Sequence, residues 1–161
     1  MSYGDLIQDA RRLTHLSLGA FTANTTVVAA PRFGVPPGTP KVRVLGIHVV
    51  CSAVPADDDG TMLLNVINYD ASEAADDALV SSQDLEALIL VANKTYECTL
   101  ATEGTEKELT LEAGDSIRCT LVNNSAAISG GNPNVTVIIE WMAVFDATDQ
   151  TRVQHASAYT A

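Results

Sequence analysis

The side chains of this chain that could do chemistry are three histidines, three cysteines, a serine in a Gly-Asp-Ser triplet, and twenty acids against nine bases. Their spacing works against catalysis. His15, His48 and His155 stand far apart, and no pair has ligand spacing. His48 alternates with valines, which reads as a core or interface histidine. Cys51, Cys98 and Cys119 each sit within an apolar run, as small buried hydrophobes in a chain made in a reducing cytoplasm; no Cys or His pair at short spacing offers a metal site. Gly114-Asp115-Ser116-Ile117 holds a serine in a Gly-Asp-Ser block, but a nucleophile needs a base and an orienting acid, and the late region supplies no Asp-x-x-His. The run Asp57-Asp58-Asp59 lacks the closing glutamate of a calcium loop and reads as a solvated turn. Ser129–Pro133 contains two glycines but opens no helix, so it does not cradle phosphate. No catalytic set, cofactor site or metal site emerges.

Charge is the strongest asymmetry. Residues 1–45 hold Arg11, Arg12, Arg32, Lys41 and Arg43 against Asp5 and Asp9, whereas residues 46–161 hold four bases against eighteen acids. An acidic body does not neutralise phosphate, which excludes nucleic acid as its partner. No stretch is long and apolar enough to span a membrane, and the first residues lack the apolar segment of a secretory signal. The sequons at Asn24, Asn93, Asn123 and Asn134 therefore read as strand and loop composition rather than glycan sites.

The elements that would position these residues are mostly strands. Leu6, Ile7, Ala10 and Leu13 have helical spacing, and Phe21–Ala30 reads as extended. Pro31–Pro40 contains four prolines and two glycines, so it forms neither helix nor central strand and serves as a stiff linker. Lys41–Ala53 alternates and then turns apolar on both faces, with a slip at Gly46 that marks a bulge. Through the turn Pro55–Gly60 it is expected to form a hairpin with Thr61–Tyr69. Asp70–Asp77 reads as an acidic loop, and Ser81-x-x-Asp84 as a capping box opening a short helix over Leu85, Leu88, Ile89 and Ala92. Thr95–Leu100 alternates. Glu106–Val122 reads as the clearest hairpin, turning at Ala113-Gly114-Asp115. After a small-residue loop, Val135–Phe145 is a central strand whose Trp141, the single tryptophan, belongs to the core. The fold class expected is all-β, an antiparallel β-sandwich or jelly roll with an extended N-terminal arm and one short helix. Residues 1–40 would be arm and linker, 41–146 the body, and 147–161 a polar tail.

The hairpin motif Leu109–Val122 (LTLEAGDSIRCTLV) resembles that of many jelly-roll modules, including C1q/TNF-like trimers and viral β-domains. The whole layout, with Arg11-Arg12 in an arm, a Pro/Gly linker and one acidic β-body, resembles the head decoration (cement) proteins of tailed bacteriophages. That resemblance implies a non-enzymatic virion protein on the capsid surface, made in the host cytoplasm, with itself (as a homotrimer) and the major capsid protein as partners. It implies that Arg11, Arg12 and Arg32 contact the capsid, and that Leu45, Ile47 and Val49 face the core or a sister subunit. The alternative is a ligand- or glycan-binding β-sandwich of a tail fibre; a β-sandwich enzyme is a third reading for which the sequence nominates no cleft.

Overall fold

A computed structural model describes residues 11–20, 26–28, 33–38, 40–56, 61–71, 75–100, 109–124 and 133–144. The described residues form two antiparallel sheets packed face to face. The first has the order β1-β10-β4-β7, where β1 is Arg12–Ala20, β4 Lys41–Cys51, β7 Thr95–Glu97 and β10 Asn134–Val144; β8 (Thr110–Leu111) also pairs with β4. The second has the order β2-β9-β5-β6, where β2 is Thr26–Val28, β5 Met62–Asp70, β6 Ala75–Asp84 and β9 Ser116–Asn123; β3 (Phe33–Gly34) also pairs with β9. The expected all-β sandwich is what the chain forms, with one helical turn, α1 (Leu85–Leu88).

Alternation dictates the layers. Because successive strand side chains point to opposite faces, Val135, Val137 and Ile139 of β10 fall on the inner face with Ile47 and Val49 of β4, and Leu64, Val66, Ile117 and Leu121 meet them from the second sheet. Burying each such side chain contributes about 1.5–3 kcal/mol. In β4 the inner series runs Val42, Val44, then Ile47, Val49, Cys51. The phase changes at Leu45, the extra residue between the pairs Trp141↔Val44 and Glu140↔Gly46, so the bulge anticipated at Gly46 is present. Glycine leaves room there for the outer-face side chains, since a Cβ would lie 3.2 Å from His48 Nε2 and 3.5 Å from Glu140 Oε2.

Four local expectations need correction. Lys41–Ala53 and Thr61–Tyr69 are not a hairpin: β4 lies in the first sheet and β5 in the second. Leu109–Val122 likewise turns a corner, β8 pairing with β4 and β9 with β5. Leu111 and Ile117 both point inward from opposite layers, which a sandwich corner permits and a two-stranded ribbon does not reward. β5 pairs instead with β6, with Tyr69↔Asp76 and Leu63↔Asp84 among the pairs, so the end of the expected acidic loop, from Ala75 to Asp77, opens an edge strand. Acidic side chains and two register shifts there blunt a free edge. Finally, the cap of α1 is Asp84 rather than Ser81: its carboxylate accepts from the amides of Glu86 (3.0 Å) and Ala87 (3.3 Å).

The arm is also redrawn. Arg12–Ala20 pairs along β10 from Arg12↔Trp141 to Ala20↔Asn134, burying Leu16 and Leu18. Leu13 accordingly belongs to a strand, not to the helix its spacing allowed. Within the proline-rich linker, Phe33–Gly34 adds two residues to the edge of the second sheet, where a proline-flanked segment can pair. Residues 1–10, Arg32, Asp57–Asp59, the Ser129–Asn132 part of the glycine-containing loop and the tail 147–161 lie outside the described residues.

Candidate assembly surfaces

The outer face of the first sheet carries a side-chain constellation that links β10, β4 and the residue preceding β1. Glu140, on β10, accepts a hydrogen bond from Arg11 Nη1 at 3.0 Å, and its second oxygen lies 3.5 Å from His48 Nε2 on β4. Register explains the meeting. Glu140 stands opposite Leu13 on one side and Gly46 on the other, and the missing Gly46 side chain lets the His48 ring reach across. His15, Ile138, His48 and Glu97 form the next row over four strands. Leu13, at 61% exposure, projects from the same face.

One row along the inner side, at the end of the sandwich that holds the start of β4, Trp141 ties the layers together. Its ring centroid lies 5.3 Å from that of Phe33 in the second sheet, its Nε1 donates to Thr14 Oγ1 at 2.9 Å, and the Arg12 guanidinium sits 5.3 Å from the ring. Trp141 packs on the core at its rim instead of within it. Of the expected capsid-contacting residues, Arg11 and Arg12 are therefore both exposed and both engaged within the molecule. Of the expected interface residues, Ile47 and Val49 have no exposed surface and fill the chain's own core; only Leu45, displaced by the bulge, lies half-buried on the outer face.

The Gly-Asp-Ser triplet is structural. Asp115 is buried, and its carboxylate accepts from the amides of Ala71 (3.0 Å) and Glu112 (2.7 Å). The corner is fixed further by Gly114 N donating to Val35 O at 2.8 Å and Val35 N donating to Asp115 O at 3.0 Å. This carboxylate closes a turn, not a catalytic set. The three cysteines are free and buried, and burial, with the neighbouring ionisable groups second, pushes each thiol from 9.0 up to about 12. They are poor nucleophiles at neutral pH. Among the described residues, no group of three or more His, Cys, Asp or Glu side chains is placed to hold a metal ion.

At the opposite end, the loop after α1 presents Leu90 (72% exposed) and Val91 (54% exposed). Tyr96 pins it: the phenolic oxygen accepts from the amides of Leu90 (3.2 Å) and Val91 (2.9 Å), while Asn93 N donates to Cys51 O at 2.8 Å. Sequence reading passed over Tyr96 and Glu140. A lone glutamate inside an otherwise apolar central strand was the available signal for the second; nothing local marked the first.

No protein-family model matches the chain, and no curated protein matches it. Among solved structures it is similar to a chain of the cyanophage Pam1 capsid asymmetric unit, with 19% identity over 83% of this chain and 85% of that one and a TM-score of 0.47. It is also similar to a chain in the structure of infectious bursal disease virus strain Gx, with 10% identity and a TM-score of 0.42. There it covers 84% of this chain but 34% of the other. A further similarity is to T=1 particles derived from the same virus, at 9% identity and a TM-score of 0.32. The all-β antiparallel sandwich itself stands on the strand pairing and burial described above.

Proposed function

We propose that this chain is a non-enzymatic structural subunit of a virion, one that decorates and braces a capsid lattice as a trimer on its surface. The observation that carries the reading is the apolar dressing of both outer sheet faces. The first sheet shows Leu13, Leu45, Val50, Ile138 and Met142 outward, and the second shows Leu63, Ile67, Tyr69 and Val122. A sandwich needs apolar side chains on its inner faces alone, so half-buried apolar rows outside favour association with other subunits. The acidic remainder keeps an assembled exterior soluble.

The major capsid protein is the partner this reading assigns to Arg11, Arg12 and Arg32. Arg11 and Arg12 lie exposed where β1 begins, so on this reading their part of the anchor sits at the lip of the sandwich. Co-sedimentation with purified capsids tests this. The wild-type protein pellets with capsids, and the triple substitution of Arg11, Arg12 and Arg32 by Ala weakens binding by about tenfold or more. Undiminished binding by the triple variant removes the anchor, and no binding by the wild type removes the reading. A sugar-binding role has less support: Trp141 is already in contact with Phe33 and Arg12, unlike an open stacking platform.

A further inference from the structure

We infer, resting on the capsid-anchor reading above, that the end of the first sheet where β1 and β4 begin docks a carboxylate-rich face of another protein, with Lys41 and Arg43 sharing the contact with Arg11 and Arg12. Topology builds this surface from two separate stretches of sequence. Both β1 and β4 run antiparallel to β10, so the starts of both flank its end. Arg12 stands opposite Trp141, Arg43 opposite Met142 and Lys41 opposite Val144. Arg43 alternates with the buried Val42 and Val44, which puts it on the outer face. Arg11 reaches the same face at Glu140, and Arg12 lies at the rim beside the Trp141 ring. Of the six Lys and Arg residues among those described, these are four; Lys94 lies in the loop at the opposite end and Arg118 on the second sheet. On a chain of net charge −11, such a gathering is where an acidic partner meets attraction instead of repulsion.

Carboxylate is the chemistry this surface already holds. Arg11 binds Glu140 at 3.0 Å and Lys41 binds Glu112 at 2.6 Å, while the side chains of the two bases remain 74% and 47% exposed. Arg11 meets Glu140 through Nη1, and the fork of a guanidinium has further donors to offer an incoming carboxylate. Exposed pairs of this sort add little to stability, so a partner's acids can share or replace them at small cost. The surroundings favour a protein over nucleic acid. A phosphate backbone rewards an unbroken cationic track, whereas here Glu140 and Glu112 stand among the bases. Between the flanking bases lie the exposed Leu13 and the half-buried Leu45 and Met142. Apolar side chains ringed by charges of both signs match the make-up of protein–protein contacts.

Two measurements on the full chain test the surface. In the first, the isotope-labelled protein is titrated with a polyglutamate peptide at low salt and its amide resonances are followed. Shifts are expected at residues 11–13, 41–45 and 140–144. In the second, co-sedimentation with purified capsids compares Lys41→Glu and Arg43→Glu with Lys94→Glu, which makes the same change of charge at the opposite end. The first two variants weaken binding by about tenfold each, and Lys94→Glu leaves it unchanged. Lys41 is exposed and outside the core, so its variant separates lost docking from lost folding. Peptide shifts that fall elsewhere or nowhere overturn the surface. So does capsid binding that both reversals leave intact, or that Lys94→Glu weakens equally. A DNA duplex that shifts the same amides at lower concentration than polyglutamate overturns the acidic protein as partner. A wild type that ignores capsids while the peptide maps to this end removes the virion role and leaves the surface standing.

Discussion

Asp115 shows how a motif that suggests chemistry can be consumed by architecture. Its two carboxylate oxygens are both committed to backbone amides, those of Ala71 and Glu112, at a corner where the chain passes from one sheet to the other. A buried acceptor in that position stabilises because it satisfies two backbone donors at the corner. Asp115→Ala is expected to cost about 2 kcal/mol in a denaturant titration; an unchanged midpoint would place the corner's stability elsewhere. Gly114, at φ +102, has a Cβ position 3.4 Å from Ala71 Cβ, so Gly114→Ala adds backbone strain of about 1 kcal/mol or more. The cysteines carry a different test. A thiol held protonated in the fold, up to about 12 instead of 9.0, favours the native state fully below pH 9 and progressively less as pH rises toward 12, where the unfolded chain releases the proton first. The denaturation midpoint is therefore expected to fall between pH 9 and about 11. Cys119→Val should make that fall shallower; the same slope in the variant would exclude Cys119 as a contributor.

Strand by strand, the sequence was legible where alternation is strong and local. The inner faces of β4, β9 and β10 follow directly from Val42/Val44, Ile117/Cys119/Leu121 and Val135/Val137/Ile139, and the slip at Gly46 marked a true bulge. Which strand each one pairs with was not legible. Alternation has the same period whether the next strand lies beside it or in the opposite layer, so both apparent hairpins proved to be corners. Strand β6 escaped notice because an edge strand can carry acids where a central one cannot. The helix cap was misplaced by three residues because Ser81 and Asp84 are both good capping types, and the carboxylate of Asp84 reaches the first-turn amides. Tyr96 escaped for another reason: its partners are amides five and six residues earlier, in a loop of no regular pattern. Tyr96→Phe should leave the sandwich folded while speeding hydrogen exchange at Leu90 and Val91 by about tenfold or more. Protection unchanged in that variant would mean the loop is held by other contacts.

At the scale of the molecule, the three cysteines and Asp115 lie inside, and apolar side chains appear on both outer sheet faces. The basic residues near the start, which seemed to define a separate arm, are divided by the fold: Arg11 and Arg12 stand where the first strand of the body opens, and Arg43 lies on β4. What was legible of the candidate surfaces was the separation of charge; what was hidden was the outward face of β4, because Leu45, Ile47 and Val49 look equivalent until the bulge turns Leu45 outward and the other two inward. These features support assembly as the role of the chain. Electron cryomicroscopy of capsids assembled with and without the protein tests that role most directly. Added density of a two-layered β-sandwich is expected on the capsid exterior, grouped about symmetry axes, with the end bearing Arg11 and Arg12 toward the shell. Identical maps with and without the protein would contradict it.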